Sequence, residues 1–211
     1  RWMTIEGSTY YFNEDGHMMT GEISLDGFNY YLGEEGDGKM KTGWIQLEDE
    51  NEDSDYTESW FYYDRSGKRV ENQVDKKIDG AYYTFEDGRM QTGWYKLPVT
   101  ASEAAPANNS VAGYQYYDED GKRASDWRTI EGVEGISEEG ETYRFYFKNG
   151  KPYYAESGLE LFSIDSKKYA FNTKGEMQTG KQVVNTGDGE VANFYFGEDG
   201  VMRTGKQVIY D

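Results

Sequence analysis

One motif returns along the whole 211-residue chain: an aromatic run, a polar turn closing on glycine, a long or basic residue, then often Thr-Gly. Its first copy reads Tyr10-Tyr11-Phe12-Asn13-Glu14-Asp15-Gly16, followed by Met18 and Thr20-Gly21. Further copies pivot on Gly36, Gly67, Gly88, Gly121, Gly150, Gly175 and Gly200, spaced 20 to 33 residues apart. The clearest close on Met40-Lys41-Thr42-Gly43, Met90-Gln91-Thr92-Gly93, Met177-Gln178-Thr179-Gly180 and Met202-Arg203-Thr204-Gly205. A unit this short cannot bury its own rings, so it must shelter them against its neighbours. About eight units result, with a ninth beginning at Lys206.

Each unit reads as a β-hairpin. A short apolar segment, such as Ile5, Ile23 to Leu25 or Ile78, precedes a tight acidic-glycine turn: Glu6-Gly7, Asp26-Gly27 or Asp79-Gly80. Such turns suit hairpins because glycine tolerates positive φ. The aromatic run is the second strand. Alternation sends Phe61 with Tyr63 to one face, and Trp60 with Tyr62, or Tyr114 with Tyr116, to the other. The expected fold is all-β, a solenoid of stacked hairpin repeats, because a lone hairpin is marginal in water. Four first turns are expanded: Leu47 to Trp60, Leu97 to Tyr114, Ile130 to Tyr143 and Val184 to Phe194. The first two inserts read as exposed loops, and no composition shift marks a second domain. Residues 1–211 therefore read as a single repeat array. It begins mid-repeat at Arg1-Trp2 and is taken as part of a larger surface or secreted protein.

Composition narrows the function. A net charge of -18 with scarce aliphatics would suit a disordered chain, but 17% of the residues are aromatic and can supply a core. That charge argues against nucleic acid, whose phosphates need clustered Lys and Arg. No apolar stretch is long enough for membrane insertion. There is no cysteine for disulfides or thiolate chemistry, and His17 is the sole histidine, placed in a surface turn. No zinc cluster, phosphate loop or histidine-based triad is readable. Acids abound, but in repeat turns rather than in one singular constellation, so the chain reads as non-catalytic without a cofactor. Glu48, Asp49, Asp53 and Asp55 of the acidic insert offer hard oxygens for calcium but lack EF-hand spacing, and read as a solvated loop.

The residues Thr42-Gly43-Trp44-Ile45, then Trp60-Phe61-Tyr62-Tyr63-Asp64-Arg65-Ser66-Gly67, resemble the bacterial cell-wall-binding repeat family, which includes the choline-binding modules. Gly93-Trp94 with Tyr114-Gln115-Tyr116-Tyr117 is a second match. Tyr169 to Val208 is similar to the related repeats of glucan-binding proteins and clostridial toxin receptor-binding regions. The resemblance implies hairpins wound into a left-handed solenoid, outside the cell, with ligands held between consecutive hairpins. In choline-binding members two aromatics of one unit and one of the next cage the trimethylammonium group. Carried over, the cages are Trp44, Trp60 and Tyr83 with Met90 as a wall, and Trp94, Tyr114 and Phe145. By the same count the first unit fails, since Trp2 is followed by Thr9, and the sixth is incomplete, since Trp127 and Tyr143 would meet Ala170.

Ring faces recognise a quaternary ammonium at about 0.5–2 kcal/mol each when desolvated. Sugar C–H faces stack on the same rings. The partner that the resemblance implies, and that such rings suit, is a cell-wall polymer such as choline-bearing teichoic acid, or a glycan. A second reading is a structural or adhesive stalk presenting its long loops to a protein partner.

Overall fold

The computed structural model describes residues 1–48, 58–100 and 109–205. Among these the only regular elements are strands, and they form eight antiparallel hairpins. Four lie in a compact unit spanning Arg1–Gln91 and four in a second spanning Thr92–Asp211. The first unit holds Trp2–Ile5 with Ser8–Tyr11, Glu22–Leu25 with Phe28–Tyr31, Gly43–Glu48 with Glu58–Tyr63, and Gln73–Ile78 with Ala81–Glu86. The second holds Gly93–Lys96 with Tyr114–Tyr117, Asp126–Glu131 with Thr142–Lys148, Glu160–Ile164 with Lys167–Phe171, and Gly180–Gly187 with Glu190–Phe196. Hairpins seven and eight share one sheet through a single parallel pair, Glu160 with Asn185. Among the described residues no helix is long and apolar enough to cross a membrane.

Turn chemistry places the strands. Glu6-Gly7, Asp26-Gly27 and Asp79-Gly80 each hold two consecutive positive φ angles, 49° and 83° in the first case, as a tight hairpin turn of matching twist requires. The eight pivot glycines all have φ between 79° and 90°. After each pivot the chain pairs back on the aromatic strand, as in the bridges Phe12 to Met18, Tyr63 to Arg69 and Phe171 to Met177.

Consecutive hairpins interlock within each unit. The Met40 N–H donates to the Thr9 carbonyl and the Arg69 N–H to Asn29, both at 2.8 Å; Met177 and Met202 do the same to Arg144 and Lys168. Their side chains lie on the next glycine. A Cβ on Gly67 would sit 2.4 Å from the Met40 sulfur, and one on Gly200 would sit 2.3 Å from that of Met177. The methionines therefore fill gaps between hairpins, as their flexibility suits them to do.

Alternation sets the core. Phe61 and Tyr63 are 5% and 1% exposed, whereas Trp60, next to Phe61 and on the opposite strand face, is 41% exposed. Tyr83, Phe85 and Ile78 form one buried cluster in the first unit. Phe145, Phe147 and Ala124 form another in the second, as do Tyr169, Phe171 and Ile164. Each buried ring contributes roughly 1.5–3 kcal/mol. Hairpin two is tied down by Arg69, whose Nε and Nη2 donate to the two Glu71 carboxylate oxygens at 2.8 and 2.9 Å, while Asn29 Nδ2 donates to Glu71 Oε1 at 2.8 Å.

Candidate functional site

Four hairpins carry a tryptophan at the base of the first strand. Gly43 and Gly93 precede Trp44 and Trp94 with φ of 81° and 76°. Asp126 takes that conformation before Trp127 at φ 68°, and its carboxylate accepts the Trp127 N–H at 2.8 Å. Strand register sets a tyrosine opposite each indole: Trp2 with Tyr11, Trp44 with Tyr62, Trp94 with Tyr116 and Trp127 with Tyr146. These pairs meet edge to face with ring centroids 5.1 to 5.2 Å apart. Each indole also meets a ring of the following hairpin: Tyr30 at 4.9 Å, Tyr83 at 4.8 Å, Phe145 at 5.2 Å and Tyr169 at 4.8 Å. Edge-to-face packing at this separation is the favoured arrangement of two quadrupoles, adding about 0.5–1.5 kcal/mol per pair.

The first sequence-derived set is brought together in part. Trp44 touches Tyr83, and Met90 packs on the same cluster. Trp60 shares a strand face with Tyr62, two residues away, and stands exposed at the rim. Of the second set, Trp94 touches the fully buried Phe145. Trp94 and Tyr114 line one crevice of about 550 Å³ with Tyr116, Ile130 and the stretch Glu131 to Glu134.

Register places Thr9 of the first unit where Trp60 and Tyr114 stand in theirs, as the count had it, and corrects the count for the sixth. Trp2 closes on Tyr11 and Tyr30, and Trp127 on Tyr146 and Tyr169. Tyr143 stands opposite Ile130 instead. Ala170 faces Leu161 and is buried against Val184 and Phe196. Residues counted back from the pivot glycine misplace these rings because the turns between differ in length; cross-strand pairing is the physical constraint.

The crevice at Trp94 is closed on one side by the expanded turn of hairpin six. The Trp94 indole N–H donates to the Glu131 carbonyl at 3.0 Å, and Val133 is buried beneath. Further along that turn, Ser137 Oγ donates to Glu176 Oε2 at 2.7 Å, and Asn172 Nδ2 donates to Glu176 Oε1 at 2.9 Å. Glu131 and Glu134 are among the residues that line the crevice, and negative charge so close to an opening attracts a cation. Burial, followed by the nearby Asp118 and Glu119, raises the Tyr116 phenol above its ordinary range against the opposing pull of Arg128; it remains a neutral ring wall with an O–H to donate. Sequence reasoning missed Tyr62, Tyr116 and Glu131. Register would have found the tyrosines; nothing local marks the glutamate.

Among the described residues no three His, Asp or Glu side chains converge as metal ligands. His17 is exposed, its backbone N–H held by Asn13 Oδ1 at 2.9 Å. Of the four acids weighed for calcium only Glu48 is described; Asp49, Asp53 and Asp55 lie outside the described residues.

Hairpins in series, four of the eight lending a tryptophan to a ring of the next, are the architecture of choline-binding-module-like repeat arrays. Residues 2–44 match the choline-binding repeat family. The chain is similar to glucosyltransferase-I of Streptococcus downei, at 29% identity over 126 residues covering 59% of this chain and 6% of that protein. It is also similar to glucosyltransferase-S of Streptococcus mutans serotype c, at 28% identity over 206 residues covering 86% of this chain and 13% of that protein. The chain thus spans a small part of the length of the curated relatives it matches. In fold it is similar to the modular autolysin LytC of Streptococcus pneumoniae, with a TM-score of 0.52 and 20% identity, covering 97% of this chain and 42% of that one.

Proposed function

We propose that this chain is a non-catalytic binding module, acting outside the cell as part of a larger surface or secreted protein. Its ligand is a cell-wall polymer bearing choline, or a glycan, gripped at aromatic seams between hairpins. The crevice at Trp94 and Tyr114 carries this reading: two aromatic walls, a third ring in Tyr116, and two glutamates at one opening. A quaternary ammonium offers no donor and needs ring faces with nearby negative charge. A sugar would stack on the same indole and use the glutamates and the Tyr116 hydroxyl. The family match over residues 2–44 supports the first ligand, and the similarity to glucosyltransferases the second. Each relative is far longer than the region matched, which supports a role as the binding part of a larger chain.

Titration of the chain with choline and with a panel of glucan and peptidoglycan fragments, followed by tryptophan fluorescence, tests the proposal. Saturable binding lost in Trp94→Ala and Tyr114→Ala is the expected result. Binding to no member of either class, or binding indifferent to both substitutions, removes it.

A further inference from the structure

The four tryptophan sets share one geometry and differ most in chemistry at one position. Two residues before the cross-strand tyrosine, on the same strand face, stand Thr9, Trp60, Tyr114 and Arg144 in hairpins one, three, five and six. In hairpin five that residue is a wall of the open crevice. In hairpin six it is a cation. The Arg144 guanidinium lies over the Trp127 ring at 4.2 Å from its centroid. The same indole stacks on Phe171 at 6.1 Å and 26° and meets Tyr146 and Tyr169 edge to face. Arg144 is anchored as well: Nη1 reaches the Asp199 carbonyl at 3.4 Å, and its own carbonyl accepts the Met177 N–H at 3.0 Å.

We propose that Arg144 is a built-in occupant of the Trp127 ring set, closing it to external cations and directing them, in the Thr92–Asp211 unit, to the Trp94–Tyr114 crevice. The inference rests on the binding role proposed above and deepens it by naming the residue that decides which set is open. A guanidinium satisfies an indole face as a quaternary ammonium would, being weakly hydrated and planar. Tethered on the paired strand of the same hairpin, it acts at an effective concentration of order mM or higher, so a weak external cation does not displace it. Thr9 and Tyr114 carry no charge with which to compete. One residue at one register position therefore converts a receptive ring set into a self-filled one without altering the fold.

The experiment uses the whole chain, with the five indole N–H resonances assigned by Trp→Phe substitutions and tetramethylammonium chloride as the probe. In the unaltered chain the Trp94 resonance should move saturably while Trp127 stays still. In Arg144→Thr and Arg144→Tyr, Trp127 should move saturably too, calorimetry should count one added site, and Arg144→Lys should remain closed. Movement of Trp127 in the unaltered chain overturns the inference. So does a silent Trp127 in both neutral variants when their spectra show folded dispersion. A silent Trp94 with a Trp127 that responds only in the neutral variants removes the Trp94 reading and keeps Arg144 as the occupant. A responsive Trp94 with Trp127 silent throughout does the reverse.

Discussion

The indole N–H of Trp94 donates to the Glu131 carbonyl at 3.0 Å, tying the base of hairpin five to the turn of hairpin six across 37 residues of sequence. The bond fixes the ring plane and the loop wall of the crevice together. Trp94→Phe keeps a ring but loses the donor, which is worth about 1 kcal/mol. Affinity for the bound polymer or its fragments should fall about 5-fold in that variant, and beyond calorimetric detection in Trp94→Ala.

Neighbours on one strand should separate stability from binding. Phe61→Ala empties a core position and should cost about 3–5 kcal/mol in urea unfolding. Trp60 is 41% exposed, so Trp60→Ala should cost less than about 1 kcal/mol. The same Trp60→Ala should weaken cell-wall or ligand binding far more than Tyr10→Ala does; equal losses would take Trp60 out of any site.

Glycine should matter unequally along the repeat. A Cβ on Gly16 meets nothing within 4 Å, and only its φ of 79° resists a side chain. Gly16→Ala should cost about 1 kcal/mol. Gly67→Ala adds a collision with Met40 and should cost about 2–4 kcal/mol. Adding Met40→Ala should not restore the parent stability but should shrink the penalty of Gly67→Ala, which thermal midpoints of the four-member cycle would reveal.

Acid should loosen the first unit through Glu71. Partial burial pushes its carboxyl up, but hydrogen bonds from Arg69 and Asn29, with the Arg69 charge, outweigh that and hold it below the ordinary 4.5. A depressed folded value means that the unfolded chain takes up the proton first. The contribution is therefore complete above about pH 4.5 and fades as pH falls through the folded value. Glu71→Gln should be about 1 kcal/mol less stable at pH 7, a modest figure because the group is partly screened by solvent. The gap from the parent should close on acidification; a gap independent of pH would assign Glu71 a purely steric part.

Local chemistry made the hairpins legible before any coordinates. Glu6-Gly7, Asp26-Gly27 and Asp79-Gly80 form tight turns because positive φ at two adjoining residues is a property of the dipeptide. That Phe61 and Tyr63 share one face followed equally from alternation along one strand, and burial shows that face to be the inner one. Which ring meets which was not local. Trp44 faces Tyr62 rather than Trp60, and Trp127 reaches Tyr169 rather than Ala170, because register across turns of unequal length sets those meetings. The placement of Arg144 over Trp127, and of Glu131 under the Trp94 indole, belongs to the same class. A repeating sequence by itself determined the hairpin unit, whose turn chemistry and strand alternation lie within some twenty residues. Only the tertiary structure decided which seams stand open, since that depends on side chains from different strands competing for one indole face.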